Sequence, residues 1–323
     1  MNFLFNSRVF FSFEGSCDDT CISIYLGSFG VLRSIICSQH VAHKFYGGIV
    51  PVLAQSCHRI ILLSGIRFLL LSLRVKNNLF FINYTKGPGL KYSLLSIVVL
   101  VRFMIIKLRI SFFSINHLSG HIFSNFIGKE QKLIFPFISF VVSGGHTIFI
   151  IVLNVLFFFV LGRKVDDSVG EVFDKIARSL GFLYPGASFL EKEALCGSFF
   201  FLKKKYIFSG SNKVYFNISN SGFKTFFYLL SQYFFFTKRD TENISALFQR
   251  MISFLLCYSV DSFVGYTGIN NIFFSGGVSM NIFFRKYIYL ECNRRFFFPS
   301  SMFSLDNAPM IGIISYFKIT SSY

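Results

Sequence analysis

Apolar residues in this 323-residue chain fall in runs that are separated by short, glycine-rich turns. Residues 134–142 are typical of a buried strand, and residues 147–160 are rich in β-branched and aromatic side chains. Between these runs stand Ser143, Gly144 and Gly145, which predict a tight turn. Near the N-terminus, residues 9–13 and 21–26 flank an acidic turn in the same way. The pattern therefore predicts two hairpins.

Helical periodicity follows both hairpins. Residues 168–177 place Val172 and Ile176 toward a core and pair Glu171 with Lys175 at i, i+4, as in an amphipathic helix. Further helices are predicted at residues 54–63, 93–104 and 244–264, and further strands at residues 80–84 and 271–274. Strands that alternate with helices in this way indicate an α/β fold.

The composition raises the alternative of an integral membrane protein, because the chain has 48 Phe and a mean hydropathy of +0.57. No charged residue occurs between Lys132 and Arg163, but Pro136 and the glycine turn interrupt this stretch. The remaining segment, residues 147–162, is shorter than the roughly 20 residues that a spanning helix needs. The N-terminal residues also lack the pattern of a signal peptide. We therefore expect a cytoplasmic protein that does not associate with membranes.

The chain carries 32 Lys and Arg against 15 Asp and Glu, which gives a formal net charge of +17. Such a surface attracts polyanions, nucleic acid before anionic lipid. The seven Cys include no CxxC pair, so the sequence predicts neither a disulfide framework nor a zinc ribbon. A reducing compartment fits this pattern.

His117 and His121 follow a short apolar strand and are four residues apart. On a helix this spacing puts both imidazoles on one face, where they can bind one divalent metal. A zinc-protease helix would carry Glu directly after the first His, but Leu118 occupies that position. Two unrelated surface histidines are the alternative, and the spacing alone leaves both interpretations open.

Two turns also allow two interpretations. Asp18 and Asp19 are ordinary turn formers, but adjacent carboxylates that face a cleft can also hold Mg²⁺ or a water near phosphates. The turn at Ser143, Gly144 and Gly145 is either a simple hairpin turn or one whose backbone N–H groups bind a phosphate.

The repeated strand–turn–strand unit resembles the fold shared by actin, the sugar kinases and Hsp70, and nine motifs make the resemblance more specific. In order and spacing, they are similar to the universal tRNA N6-adenosine threonylcarbamoyltransferase family, the TsaD type once described as a glycoprotease. The motifs are EGSCDDT (14–20), YGGIVPVLA (46–54), KGPGL (86–90), NHLSGH (116–121), VVSGGHT (141–147), DDSVGEVFDKIARSLGFLYPG (166–186), SGFKT (221–225), SGGVSMN (275–281) and LDNAPMIG (305–312).

The resemblance implies a two-lobed α/β fold with duplicated RNase H-like lobes and a nucleotide in the cleft. The expected lobes are residues 1–113 completed by residues 307–323, and residues 114–306. The resemblance also implies that one divalent metal, iron or zinc, is bound by His117, His121 and Asp306 and contacts the nucleotide phosphates.

The remaining site residues are likewise implied by the resemblance. Backbone groups of the VVSGG stretch and of the turn after the amphipathic helix would hold an acyl-adenylate, Asp174 its ribose, and an Asn amide would complete the pocket. We expect Asp18 or Asp19 to act as a general base or to position water, and interpret His146 as structural. The implied substrate-binding residues are Val141, Val142, Ser143, Gly144, Gly145, Asp174, Gly186, Ala187 and Asn281.

The implied reaction transfers a threonylcarbamoyl group from threonylcarbamoyl-AMP to N6 of the tRNA adenosine 3′ of the anticodon, with release of AMP. The implied partners are tRNA, a paralogous scaffold subunit and a small ATPase subunit of the bacterial-type complex. A non-catalytic paralogue and an HxxxH metallopeptidase are the alternatives. The chain departs from the family at Gly15, usually Thr, at Asp19, usually Glu, and at Ala187, usually Gly.

Overall fold

The computed structural model describes residues 9–46, 49–72, 79–129, 133–198, 217–233 and 237–321. Gly47 and Gly48 of the YGGIVPVLA motif lie outside these ranges. The strands are β1 (Val9–Glu14), β2 (Asp19–Leu26), β3 (Gly30–Ser38), β4 (Leu79–Gly87), β5 (Ser111–Asn116), β6 (Phe137–Val142), β7 (Thr147–Val152), β8 (Phe158–Arg163), β9 (Asn271–Ser275) and β10 (Arg295–Phe297). The longer helices are α1 (Pro51–Ser72), α2 (Lys91–Leu108), α3 (His117–Phe123), α4 (Val169–Ser179), α5 (Ala187–Ala194), α6 (Ser221–Tyr233), α7 (Lys238–Thr267), α8 (Ile282–Glu291) and α9 (Pro309–Ser321).

The chain divides into two compact units. The first comprises Met1–Leu133 and Pro299–Tyr323, and the second comprises Ile134–Phe298. In the first unit a five-stranded sheet has the order β3-β2-β1-β4-β5. β1 is antiparallel to β2 and parallel to β4, and all six of its residues are buried. This explains its nearly continuous apolar sequence, because a central strand covered on both faces buries every side chain.

The second unit contains a sheet of the same design. Its order is β10-β9-β6-β7-β8, so that β6 takes the central position of β1, and β7 and β9 take those of β2 and β4. β6 is antiparallel to β7 and parallel to β9, again as in the first sheet. The α/β class and the two predicted hairpins are confirmed. The apolar run at residues 147–160 contains all of β7 and the start of β8, which pair as antiparallel neighbours.

Polar residues start the helices that the sequence predicted. Ser168 begins α4 by accepting a hydrogen bond from the backbone N–H of Glu171, and Lys175 pairs with Glu171 at 2.9 Å. Val172 and Ile176 are buried in the core of the second unit, as their helical spacing predicted.

One disulfide corrects the expectation drawn from cysteine spacing. Cys257 on α7 is bonded to Cys292, which directly follows α8. The two cysteines are 35 residues apart in sequence, and only the packing of α8 on α7 brings them together. The spacing of cysteines along the chain carries no information about this helix packing, so the sequence did not indicate the bond.

Among the described helices, α7 alone is long and apolar enough to span a membrane by length and composition. However, 72% of its most apolar segment is buried inside the protein. Phe248, Leu256 and Phe263 contribute to that core. Such burial is typical of the central helix of a globular domain.

Candidate active site

His117 and His121 come together on α3, the short helix that directly follows β5. Asn116 begins this helix, because its side chain accepts a hydrogen bond from the backbone N–H of Leu118 at 2.9 Å. The two imidazole centroids are 4.8 Å apart, and both side chains are buried. The two histidines therefore form one inward-facing pair rather than two unrelated surface residues.

Asp306 contacts this pair from the loop before α9. Its Oδ1 lies 3.1 Å from Nε2 of His121 and 3.6 Å from Nε2 of His117. The adjacent Asn307 accepts a hydrogen bond from the backbone N–H of Met310 at 2.9 Å and thereby caps α9. The capping role thus falls to Asn307, and the Asp306 carboxylate is directed to the histidines.

These three side chains fit a divalent metal. Their donor atoms lie within 4.8 Å of one another, and two imidazoles with one carboxylate are a donor set that Fe²⁺ and Zn²⁺ both accept. Bonds of about 2.0–2.2 Å would place neighbouring donor atoms about 3.0–3.5 Å apart. The separations of 3.1 and 3.6 Å from Asp306 are close to that range.

Glu14, which sequence inspection missed, lies at the opposite edge of the His117 ring. Its Oε2 is 3.3 Å from Nδ1 of His117, and Oγ of Ser16 is 3.2 Å from the same nitrogen. Burial opposes protonation of His117, but the carboxylates of Glu14 and Asp306 outweigh burial and raise its pKa to about 9. Ser16 and His117 are 101 residues apart, so only the pairing of strands through the sheet reveals this contact.

Asp18 and Asp19 lie where the β1–β2 hairpin returns into the sheet. Oδ2 of Asp18 is 3.4 Å from Nε2 of His40. Burial and the neighbouring Asp18 raise the pKa of Asp19 to about 6. Oδ1 of Asp19 is buried and has no hydrogen-bond partner within the described ranges. A carboxyl group with a pKa near neutrality has the chemistry of a general base.

His58 on α1 holds the tip of this hairpin. Its Nδ1 is 2.7 Å from Oγ1 of Thr20, and its Nε2 is 3.0 Å from the backbone oxygen of Cys17. Burial and the adjacent Asp18 raise the pKa of the Cys17 thiol well above its usual range. Cys17 therefore stays protonated and is not a thiolate nucleophile.

In the second unit, the predicted SGG turn closes the β6–β7 hairpin. The backbone N–H of Ser143 donates to the oxygen of His146 at 2.7 Å, and the N–H of His146 donates to Oγ of Ser143 at 3.1 Å. The start of α4 packs against this turn, where the Gly170 N–H donates to the Ser143 oxygen at 3.2 Å. A Cβ on Gly170 would lie 2.7 Å from the Gly144 nitrogen, so only glycine permits this approach.

The other side of the turn is open. A Cβ on Gly144 or Gly145 would meet no atom of the described residues within 4 Å. By contrast, Val141 and Val142 are buried in β6, where they pair with Ser275 in β9 and Thr147 in β7. The two glycines thus present accessible backbone, whereas the two valines contribute to the sheet.

Asp174, Gly186 and Ala187 lie together in the second unit. Oδ1 of Asp174 accepts hydrogen bonds from the backbone N–H groups of Gly186 at 2.9 Å and of Ala187 at 3.1 Å. Ala187 is the first residue of α5, and its φ is not positive. The alanine is therefore compatible with the backbone where the family usually has Gly.

Asn281 begins α8, and its side-chain amide is used inside the protein. Its Oδ1 accepts from the backbone N–H of Phe284 at 2.8 Å, and its Nδ2 donates to Oε1 of Gln249 at 3.0 Å. Five residues earlier, Gly276 has a φ of +87°, and a Cβ there would overlap the Val142 oxygen. Gly276 therefore permits the β9–α8 connection to approach the SGG turn.

His146 also lines a cavity of about 470 Å³. The cavity wall includes two basic side chains, Arg163 and Lys164, and the side chain of Asn217. Lys164 lies 4.0 Å from Glu171. Within the second unit, His146 therefore belongs to the turn and to the wall of this cavity.

The sequence matches a known family over most of its length. The profile of the family described as TsaD, tRNA N6-adenosine threonylcarbamoyltransferase, matches residues 30–313. A protein of that name from Christiangramia forsetii is 34% identical over 323 aligned positions, covering 94% of this chain and 91% of the relative. Another from Caldicellulosiruptor bescii is also 34% identical and covers 96% of this chain and 94% of the relative.

Solved structures share the fold at low sequence identity. HypF of T. kodakarensis superposes with a TM-score of 0.63 at 16% identity, covering 98% of this chain and 48% of that one. Component A of (R)-2-hydroxyglutaryl-CoA dehydratase from Acidaminococcus fermentans has a TM-score of 0.57 at 13% identity, covering 97% and 100%. These neighbours confirm the actin- and sugar-kinase-like fold. The family profile and the two relatives show that the chain belongs to the tRNA N6-adenosine threonylcarbamoyltransferase family and is a transferase.

Proposed function

We propose that this enzyme transfers the threonylcarbamoyl group of threonylcarbamoyl-AMP to N6 of adenosine 37 in tRNAs that read codons starting with A, and releases AMP. Membership of the family supports the transferase activity and the tRNA substrate. The observation that carries the proposal for this chain is the buried cluster of His117, His121 and Asp306. All three donors are retained and directed at one another, as a catalytic rather than a vestigial member requires.

The chemistry is acyl transfer, in which the exocyclic amine attacks the carbonyl carbon and AMP is the leaving group. A divalent metal held by His117, His121 and Asp306 would supply Lewis-acid stabilisation of the charge on the departing phosphate. Asp19 would accept the proton that the attacking amine loses, because its pKa of about 6 leaves it ionised at neutral pH.

In the second unit we assign the acyl-adenylate to the open side of the SGG turn. The backbone N–H groups of Gly144 and Gly145 are the groups that would orient it, since nothing in the described unit covers the positions where their side chains would be. Asp174 fixes the neighbouring turn at Gly186 and Ala187 through its Oδ1. We assign the ribose of the acyl-adenylate to the neighbourhood of Asp174, as the resemblance to the family implies.

A metallopeptidase is less well supported by the geometry. Such an enzyme needs a carboxylate base beside the metal-bound water, and Leu118 replaces the usual Glu. Glu14 does not take over that role, because it contacts Nδ1 of His117 while Nε2 faces Asp306. A non-catalytic scaffold would have no reason to keep three converging ligands.

The proposed macromolecular partners are tRNA, a paralogous scaffold subunit and a small ATPase subunit, and the proposed location is the cytoplasm. The net charge of +17 supports the interaction with tRNA. An exposed apolar face on α1 and α2 supports a protein partner, since side chains of this kind are normally covered. That face includes Ile60, Leu63, Val99, Phe103 and Ile106.

Transfer can be tested with purified protein, Fe²⁺ or Zn²⁺, threonylcarbamoyl-AMP, unmodified tRNA and the two partner subunits. We expect the modified nucleoside to appear by mass spectrometry of digested tRNA. Asp306→Ala should reduce its rate of formation at least about 100-fold, because Lewis-acid stabilisation is worth several kcal/mol. Leu305→Ala, an exposed neighbour, is the matched control and should keep the wild-type rate. Absence of the nucleoside from the complete mixture, or full activity of Asp306→Ala, would contradict the proposal.

A further inference from the structure

Glu14 is a carboxylate with no exposure to solvent, at the end of the central strand β1. Its Oε1 accepts a hydrogen bond from the backbone N–H of Ser16 at 2.8 Å. Its Oε2 accepts from Oγ1 of Thr85 on β4 and also faces Nδ1 of His117 at 3.3 Å. An ionised carboxylate in such a place is stable only when donors surround it.

His117 is the cationic or N–H-bearing side chain that completes this set. In the described part of the chain, the ion pairs of Glu14 include no Lys or Arg. The Ser16 N–H and the Thr85 hydroxyl already donate to the two oxygens of Glu14, so this carboxyl group acts as an acceptor. The donor in the 3.3 Å contact with His117 is therefore Nδ1 of the imidazole, which carries the proton.

A proton on Nδ1 has a direct consequence for the other nitrogen of the ring. A metal binds the neutral imidazole and displaces any second proton, so a ring that keeps its proton on Nδ1 presents the lone pair of Nε2. That Nε2 is the atom that faces Asp306, at 3.6 Å. Histidines that bind metals are commonly held in this way, with the second nitrogen donating to a carboxylate.

We propose that Glu14 is a positioning residue that fixes the tautomer and orientation of His117 and thereby sets the affinity of the site for a divalent metal. This inference rests on the metal site of the proposed function, but it concerns metal binding and not the transfer reaction. Thr85 and the Ser16 backbone act through Glu14, because they hold its two oxygens in place.

The second histidine has no equivalent support. Nδ1 of His121 is buried and has no hydrogen-bond partner within the described residues. Its Nε2 contacts Oδ1 of Asp306 at 3.1 Å. The His117 side of the cluster is therefore the preorganised one, and the loss of Glu14 should remove most of that preorganisation.

Glu14→Gln tests this directly, because it preserves the shape of the side chain and reverses the direction of its hydrogen bond with His117. The amide oxygen can still accept the Ser16 N–H, which places the NH₂ group where Oε2 faced His117. This NH₂ donates to Nδ1, so the ring proton moves to Nε2 and occupies the lone pair that a metal requires.

The experiment is titration of purified protein with Co²⁺, whose visible absorption reports both binding and coordination geometry. We expect Glu14→Gln to bind Co²⁺ about 10–100-fold more weakly than wild type, the usual effect of removing such a partner. Thr85→Val retains the carboxylate and loses one donor to it, so its affinity should fall between the two. Ser12→Ala is the matched control, since Ser12 is buried on the same face of β1, two residues from Glu14, and bonds to Asn83.

Thermal unfolding of each metal-free variant separates positioning from folding. If Glu14→Gln does not fold, Thr85→Val alone decides the question. Unchanged Co²⁺ affinity in a folded Glu14→Gln or Thr85→Val, or no Co²⁺ binding by wild type, would overturn the inference. Weakened metal binding by Glu14→Gln together with no threonylcarbamoyl transfer by wild type would instead refute the proposed function and leave the inference standing.

Discussion

Gly15 shows how a single position can depart from its family without disturbing the site. A Cβ at Gly15 would lie 2.5 Å from Cδ1 of Ile97 and 3.0 Å from Cε1 of His58. The family usually has Thr here, so in this chain Ile97 and His58 occupy the space that a threonine side chain would need. Gly15 therefore allows Ile97 and His58 to fill this space.

Gly15→Thr should destabilise the protein by about 1–3 kcal/mol, the usual effect of overpacking a core. Ile97→Ala in the same chain should restore part of that loss, because it removes the nearest atom. Urea unfolding of the wild type, both single variants and the double variant measures the coupling. Strictly additive effects would show that Ile97 is not the conflicting neighbour.

The pKa of Asp19 leads to a prediction for how the transfer rate falls at acidic pH. Because burial and Asp18 raise its pKa to about 6, the carboxylate that can accept a proton is lost as the pH falls through that value. We expect kcat/KM for transfer to rise with pH up to about 6 and then level off. Asp19→Asn should lower the rate by about 10²–10⁴-fold and abolish this limb. An unchanged limb in Asp19→Asn would assign the titration to another group.

For the secondary-structure elements, the local sequence pattern predicts where helices and strands lie along the chain. It does not predict which of them pack against one another. Asn116 and Ser168 begin α3 and α4 as polar residues placed before apolar periodicity, which is a signal present in the sequence. The pairing of β1 with β4 brings Thr85 to Glu14, and the packing of α8 on α7 brings Cys292 to Cys257. Contacts of this kind depend on strand order and helix packing, and the local pattern of a single sequence does not reveal either.

The disulfide gives a prediction for the stability of the second unit. Closing a loop of 35 residues stabilises the folded state by about 3–4 kcal/mol on the chain-entropy estimate. Reductant should therefore lower the urea midpoint of unfolding in wild type but not in a Cys257→Ser/Cys292→Ser variant. Thiol titration of unreduced, denatured wild type should find five thiols rather than seven. Seven thiols would show that the bond does not form in solution.

For the molecule as a whole, family membership and fold were accessible from the sequence because nine motifs kept their order and spacing. The three metal-binding candidates were also accessible, since each lies in one of those motifs. The supporting residues were not. Glu14 and His58 act through contacts with residues distant in sequence, so their roles emerged only from the structure.

The net charge of +17 makes the interaction with tRNA sensitive to salt. If about four phosphates are contacted, raising the salt from about 50 to 200 mM should weaken tRNA binding by about 100-fold. Fluorescence anisotropy with labelled tRNA measures this change, and the Kd for threonylcarbamoyl-AMP should vary much less. Affinity for tRNA that is insensitive to salt would show that the positive charge is not used for binding.

The equivalent hairpins of the two sheets differ in the chemical groups that their tips carry. The tip between β1 and β2 carries carboxyl, hydroxyl and thiol side chains, whereas the tip between β6 and β7 carries two glycines. The first tip therefore offers polar side chains, whereas the second offers the exposed main chain of Gly144 and Gly145. In a deep mutational scan, conservative replacements such as Asp to Asn should be harmful mainly at the first tip, and any added side-chain bulk mainly at the second.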